Sequence, residues 1–210
     1  MNSIPGVFFT SFALGFTGAV VPGPLLAVVV TGAGRRGFWA GPVAVAGHGL
    51  LELALGLVLL AGLAPLAASP QLVAAVSLMG SAVLLWLGAA LLRDLVGVKE
   101  DLTLQPGSGS GSFLGAMGAT ISNPYWSLWW LTVGLELILL SRRLGAPGFA
   151  SFYLGHLMSD LVWYSLVARG IVWGRRFLSG RQFRVLLAIC AVSMIGFAVY
   201  FAVLGLSLIY

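Results

Sequence analysis

Long apolar stretches separated by short polar punctuation run the length of the chain. They extend from Val7 to Thr31, Trp39 to Leu63, Leu72 to Leu92, Phe113 to Leu140, Phe149 to Val172 and Val185 to Leu208. A bilayer core is about 30 Å thick and a spanning helix needs roughly 20 apolar residues, so each stretch is long enough to cross. The alternation of polar and apolar positions that marks a membrane barrel is absent. Backbone groups in lipid must then be satisfied inside each segment, which a helix does. The pattern predicts an all-α membrane protein of about six transmembrane helices, with the lipid bilayer as its solvent.

One hydrophilic stretch, Lys99 to Gly111, has the Gly, Ser and Pro content of a flexible linker. It divides the chain into a first three-helix repeat over 1–98, a cytoplasmic linker over 99–111 and a second three-helix repeat over 112–210. An odd number of spans per half means that the two repeats are inverted in the membrane. Three features recur in the same order. Pro22-Gly23-Pro24 precedes Arg35-Arg36 and then Gly47-His48 with Glu52; Asn123-Pro124 precedes Arg142-Arg143 and then Gly155-His156 with Asp160.

Each proline inside a span removes a backbone donor and disrupts the preceding turn, which predicts broken first and fourth helices. Asn123 reads as an N-cap with Pro124 in the first helical position, and Gly23 lets the backbone bend and approach a ligand. Each break then begins a half-helix. In an inverted repeat these starts meet near the midplane, where their unpaired N–H groups and positive dipole ends form an anion site suited to a carboxylate. Expected contacts to a small-molecule substrate are therefore Pro22, Gly23, Pro24, Asn123, Pro124, Tyr125 and Trp126.

Composition sharpens the class. Hydrophobic residues make up 60% of the 210 positions and charged residues 8%, whereas soluble domains carry about 25% charged residues. Of the basic residues, Arg35, Arg36, Arg93, Lys99, Arg169, Arg175, Arg176, Arg181 and Arg184 fall in or beside the odd-numbered connections, and Arg142 and Arg143 lie in the fourth. By the positive-inside rule the odd connections face the cytoplasm and both termini face outward, as in a multi-pass protein of a bacterial or archaeal inner membrane. The net charge of +5 is thus an orientation signal divided among loops, and nucleic acid is not an expected partner. No basic residue precedes Arg35, so the first segment lacks the charged start of a secretory signal and reads as a retained helix. Cys190 is the one cysteine, which excludes an intramolecular disulfide or a CxxC redox motif.

His48 and Glu52, and likewise His156 and Asp160, are spaced to share one helical face. An ionised carboxylate deep in a span costs roughly 3 kcal/mol or more, so Glu52 and Asp160 must pair, protonate or line a wet cavity. A carboxylate beside an imidazole takes and releases a proton near neutral pH, which makes the four residues candidates for ion or proton coupling. The alternatives are a hydrogen-bonded pin between helices and a divalent-metal set, two imidazoles and two carboxylates, if the second and fifth helices face each other. Trp126, Trp129 and Trp130 form a stripe at helical spacing, either packing in the core or walling a pocket that holds an ammonium group. Small residues such as Gly15 and Gly18, or Gly56 and Gly62, would support close helix packing, and a homo-oligomer is compatible with them.

The chain resembles, over essentially its whole length, the lysine-exporter (LysE type) family of amino-acid efflux proteins or its wider superfamily. The resemblance rests on Pro22-Gly23-Pro24, on Gly47-His48 followed by Glu52, and on Asn123-Pro124; the lysine that often follows Asn-Pro in the family is Tyr125 here. It implies a secondary exporter of amino acids or similar small solutes, driven by the proton motive force and working by alternating access, with no cofactor and no enzymatic activity. Divalent-metal export through His48, Glu52, His156 and Asp160 is the alternative, and an intramembrane enzyme using His48 and Glu52 a remote one. A purely structural subunit fits the costly buried carboxylates less well.

Overall fold

The computed structural model describes residues 3–63, 69–97, 110–174 and 180–209. The expected linker over 99–111 falls almost entirely outside these residues, as do Lys99, Arg175 and Arg176. Every regular element among the described residues is helical: α1 (Ile4–Ala19), α2 (Pro24–Arg36), α3 (Ala40–Val58), α4 (Pro70–Gly97), α5 (Ser110–Ile121), α6 (Pro124–Trp129), α7 (Leu135–Ser141), α8 (Gly145–Gly174) and α9 (Gly180–Ser207). Wider π turns extend α3 through Leu59–Leu63 and join α6 to α7 through Trp130–Gly134.

The helix ends follow from their local chemistry. Ser3 caps α1 by accepting from the Gly6 N–H at 3.2 Å. After α2 the chain turns at Gly37, whose φ of 79° suits a residue without a side chain, and the Gly37 N–H closes on the Ala33 carbonyl at 3.0 Å. Helices α4 and α9 have 28 residues and α8 has 30, or about 42–45 Å of length, enough to cross a bilayer core with some tilt. Helix α3 with its π turn gives an apolar stretch of 23 residues over Ala40–Gly62. The first and fourth expected spans are each divided at proline: α1 and α2 meet at 79°, and α5 gives way to α6 at Ser122-Asn123-Pro124.

Polarity is arranged inside out. Large apolar side chains such as Phe9, Met79, Trp86, Trp173 and Tyr200 stand exposed on the outer surface, whereas Ser11, His48, Glu52, His156, Ser159 and Asp160 are buried. A surface of this kind is stable only against lipid. The all-helical membrane class expected from the sequence is therefore the observed one.

Helix α4 packs on α9, α1 on α8, and α3 on both α5 and α8, with α2 filling the space among α3, α5 and α8. Two close backbone approaches set these pairings. A Cβ at Gly155 would run into the Phe8 carbonyl, and one at Gly47 would run into the Phe113 carbonyl, so glycine immediately before each histidine lets α8 touch α1 and α3 touch α5. The Ser11 hydroxyl donates to the Phe152 carbonyl and the Ser151 hydroxyl to the Ile4 carbonyl, each at 2.7 Å, fastening α1 to α8.

Candidate functional site

The two proline breaks and the two polar helices meet around one cavity. Its walls come from Gly23, Pro24, Leu25 and Leu26 at the start of α2, from Ala119, Thr120 and Asn123 at the second break, from Tyr125, Trp126, Trp129 and Trp130, and from His48, Glu52, His156 and Asp160. Its volume of about 60 Å³ is room for only a few waters. Pro22 and Pro124 do not line this cavity; the other residues expected from the sequence do.

The breaks differ in chemistry. At the second, the Asn123 side chain accepts from the Tyr125 N–H at 3.2 Å, so the start of α6 is already capped. At the first, Gly23 precedes Pro24 in extended conformation and offers no side-chain bond. Helix α2 starts with proline, which has no N–H, and the Ala27 N–H is taken by the Gly23 carbonyl at 3.1 Å. The Leu25 and Leu26 amides thus form the open helix start on the cavity, backed by the dipole of a 13-residue helix. The two helix starts are thus not equivalent: amides are left open at the first and capped at the second.

Across the cavity, α3 and α8 bring the two His–acid pairs together. Glu52 is 1% exposed, Asp160 3%, His156 5% and His48 8%. Glu52 Oε1 lies 3.0 Å from His48 Nε2 and 3.0 Å from His156 Nε2. The same oxygen accepts from the indole N–H of Trp130 at 3.1 Å and of Trp126 at 3.3 Å. Asp160 Oδ2 is 3.7 Å from His48 Nε2 and 3.8 Å from His156 Nε2, beyond hydrogen-bond length. Glu52 Oε2, Asp160 Oδ2 and His156 Nδ1 are buried and make no hydrogen bond. Orphaned acceptors of this kind cost stability unless something else meets them.

Thr120 fixes the state of one imidazole. Its hydroxyl donates to the Ala116 carbonyl at 2.7 Å, which spends its single proton, and it lies 2.7 Å from His48 Nδ1. His48 Nδ1 must therefore be the donor to Thr120, and in a neutral ring the Nε2 lone pair then faces the Glu52 carboxylate. Two lone pairs at 3.0 Å repel, so a positive species has to sit between them.

The tryptophan stripe is read differently once the site is seen. Trp126 and Trp130 are donors to Glu52, and Trp129 lies against His156 with ring centroids 4.5 Å apart. Thr120 and Gly15 were not singled out for this role by sequence. Gly15 faces His156 and Ser159, where any side chain would collide. A threonine three positions before Asn123-Pro124 was the available signal. Glu136 is exposed on α7, away from these groups.

A polytopic helical membrane protein with carboxylates and imidazoles buried around broken spans is a transporter in class. The chain belongs to the LysE type translocator family, whose pattern it matches over residues 16–205. It is also 30% identical over 202 residues to the chemotactic transduction protein ChpE of Pseudomonas aeruginosa, covering 91% of this chain and 95% of that protein. No solved structure matches it. Proteins of this family are membrane efflux transporters of amino acids or similar solutes, not enzymes, and a small-molecule substrate and a lipid bilayer follow as its partners.

Proposed function

We propose that this protein is a proton-coupled secondary exporter of amino acids working by alternating access, with the substrate carboxylate at the start of α2 and its ammonium group facing Glu52 and Asp160. One observation carries the reading: a single cavity joins open N–H groups of Leu25 and Leu26 to buried carboxylate oxygens without partners. Its two ends complement the two charges of a zwitterion. Trp126, Trp129 and Trp130 supply aromatic surface beside the cation. Asn123 and Tyr125 shape the opposite wall, and Pro124 starts α6 between them. His48 and His156 pass the coupling proton to Glu52 and Asp160. At about 60 Å³ the cavity is smaller than an amino acid requires, so the geometry is that of a contracted state between two open ones.

The stretches 1–98 and 112–210 are read as inverted repeats, the arrangement that alternating access uses. Exchanging the halves turns the α1–α8 contact into the α5–α3 contact and leaves α4–α9 and α3–α8 in place. The Gly155–Phe8 approach likewise becomes Gly47–Phe113. The termini face outward in this reading, with Arg35, Arg36 and Arg93 on the cytoplasmic side of a bacterial or archaeal inner membrane.

The test is efflux from proteoliposomes preloaded with a mixed amino-acid pool, with and without an imposed proton gradient, for wild type and Glu52→Gln. Gradient-dependent loss of one solute class from wild type alone is the expected result. Equal loss from both proteins would remove Glu52 from the mechanism, and no loss from either would remove amino acids as substrates.

A further inference from the structure

We infer that His48, Glu52, His156 and Asp160 form a four-ligand site for a divalent transition-metal ion of the zinc class. The inference concerns the same cavity as the proposed export but does not depend on which solute is exported. The metal ligands would be His48 Nε2, His156 Nε2, Glu52 Oε1 and Asp160 Oδ2. Three of these residues, His48, Glu52 and Asp160, present ligand atoms all within 4.8 Å of one another.

Three features point to a metal rather than to hydrogen bonding alone. The first is spacing. Tetrahedral zinc with bonds of about 2.0–2.1 Å sets its ligand atoms about 3.3 Å apart. The four nitrogen–oxygen separations in this cluster are 3.0, 3.0, 3.7 and 3.8 Å, and His156, which stands outside the group of three, would have to draw in to complete the shell. The second is the crowding of Glu52 Oε1, which has four nitrogen atoms within 3.3 Å. A carboxylate oxygen does not accept four hydrogen bonds with its two lone pairs. With a metal bound, the two histidine contacts become edges of the coordination shell. The Trp126 and Trp130 indoles are then left as the donors to that oxygen. Asp160 Oδ2, buried and without a hydrogen bond, gains a partner as the fourth ligand.

The third feature is the support behind His48. Metal-ligating histidines donate their other ring N–H to a fixed acceptor, which sets the tautomer and aims the free lone pair at the ion. The Thr120 hydroxyl, itself tied to the Ala116 carbonyl, is placed to accept from His48 Nδ1 in this way. The lone pair of Nε2 then points at Glu52, a gap that either a proton or a metal ion fills. Two nitrogen and two oxygen ligands favour zinc, cobalt or nickel over magnesium or calcium, which take oxygen ligands. Because metal and protons compete for the same lone pairs, binding releases protons from the cluster.

The experiment uses the purified full chain in detergent. Zinc is titrated calorimetrically in two buffers of different ionisation enthalpy, and cobalt is titrated with its visible d–d absorption as the readout. Expected are one zinc per chain, buffer-dependent heat that reports proton release, and the intense bands of tetrahedral cobalt. The double variant His48→Gln, Asp160→Asn should lose both signals. Thr120→Val keeps all four ligands and should weaken zinc binding about 10–100-fold, as loss of a second-sphere partner does. Thermal unfolding of each variant reports whether it is folded. A folded wild type that binds neither metal, or a folded double variant that binds both as wild type does, would overturn the inference. Amino-acid efflux is measured on the same preparation. Flux without metal binding leaves the exporter reading standing and removes the metal site; metal binding without flux does the reverse.

Discussion

Glu52 and Asp160 occupy the same place in two similar sequence patterns, four residues after a histidine that follows glycine, yet their surroundings differ. Glu52 is met by two imidazoles and two indoles on one oxygen, while Asp160 Oδ2, nearly as buried, has no hydrogen bond. The difference comes from the neighbouring helices. Trp126 and Trp130 project from α6 and its π turn toward α3, whereas the residues two and six positions after Pro24 are Leu26 and Val30, which bring no donor side chain. A repeated motif therefore yields one carboxylate that is held and one that is available. On this reading, Glu52 is part of the fold as well as the site, and Asp160 belongs mainly to the site.

Substitutions that separate these two roles test the comparison. The largest effect is expected for Glu52→Ala, which strips the acceptor from two indole donors and leaves two buried imidazoles without the carboxylate they face. It should cost about 3–5 kcal/mol of stability, as breaking a buried charged network does, seen as a marked fall in the thermal unfolding midpoint followed by tryptophan fluorescence. Trp130→Phe removes a single donor from the carboxylate, 3.1 Å away. It should cost about 1.5–3 kcal/mol, the range for a hydrogen bond to a charged group, and Trp126→Phe, losing the longer 3.3 Å bond, should cost less. Asn123→Ala removes the cap of α6 and should cost about 1 kcal/mol. Its counterpart at the first break is Gly23→Asp. Extended backbone and nearly open space at Gly23 accept a side chain, and the new carboxylate would occupy the amides proposed for the substrate. Stability should hold or rise by a few tenths of a kcal/mol, while KM for the exported amino acid rises about tenfold or more. The smallest change in stability is expected for Asp160→Asn, within about 1 kcal/mol of wild type because no bond is lost, although efflux should fall to background. A large drop in unfolding temperature for Asp160→Asn would erase the distinction between the two acids.

Much of this was legible in the sequence, for identifiable reasons. Apolar stretches of spanning length predicted helices because lipid offers the backbone no other solution, and prolines inside two of them predicted the breaks at Pro24 and Pro124. The His–acid pairs stood out because charge is costly in such segments. What the sequence did not reveal was partnership. Helical periodicity does not specify which helix a face will meet, so the crossing of α1 onto α8 and of α5 onto α3 was not readable. The same holds for the tryptophans: a stripe at Trp126, Trp129 and Trp130 is the same pattern whether it meets lipid or a carboxylate, and only the position of Glu52 decides. The contrast between a glycine cap and an asparagine cap was in plain view at Gly23 and Asn123, but its meaning depended on both ends opening onto one cavity.

The contacts of Gly155 with Phe8 and of Gly47 with Phe113 have a mechanical consequence. Backbone touches backbone at both places, so α1 is clamped to α8 and α5 to α3, each clamp joining one helix from before the linker to one from after it. Under the proposed alternating access, the levers are therefore not the two sequence halves. Asp160 and His156 ride with the first break, Glu52 and His48 ride with the second, and any stroke that parts the two clamped pairs must pull the carboxylates away from each other.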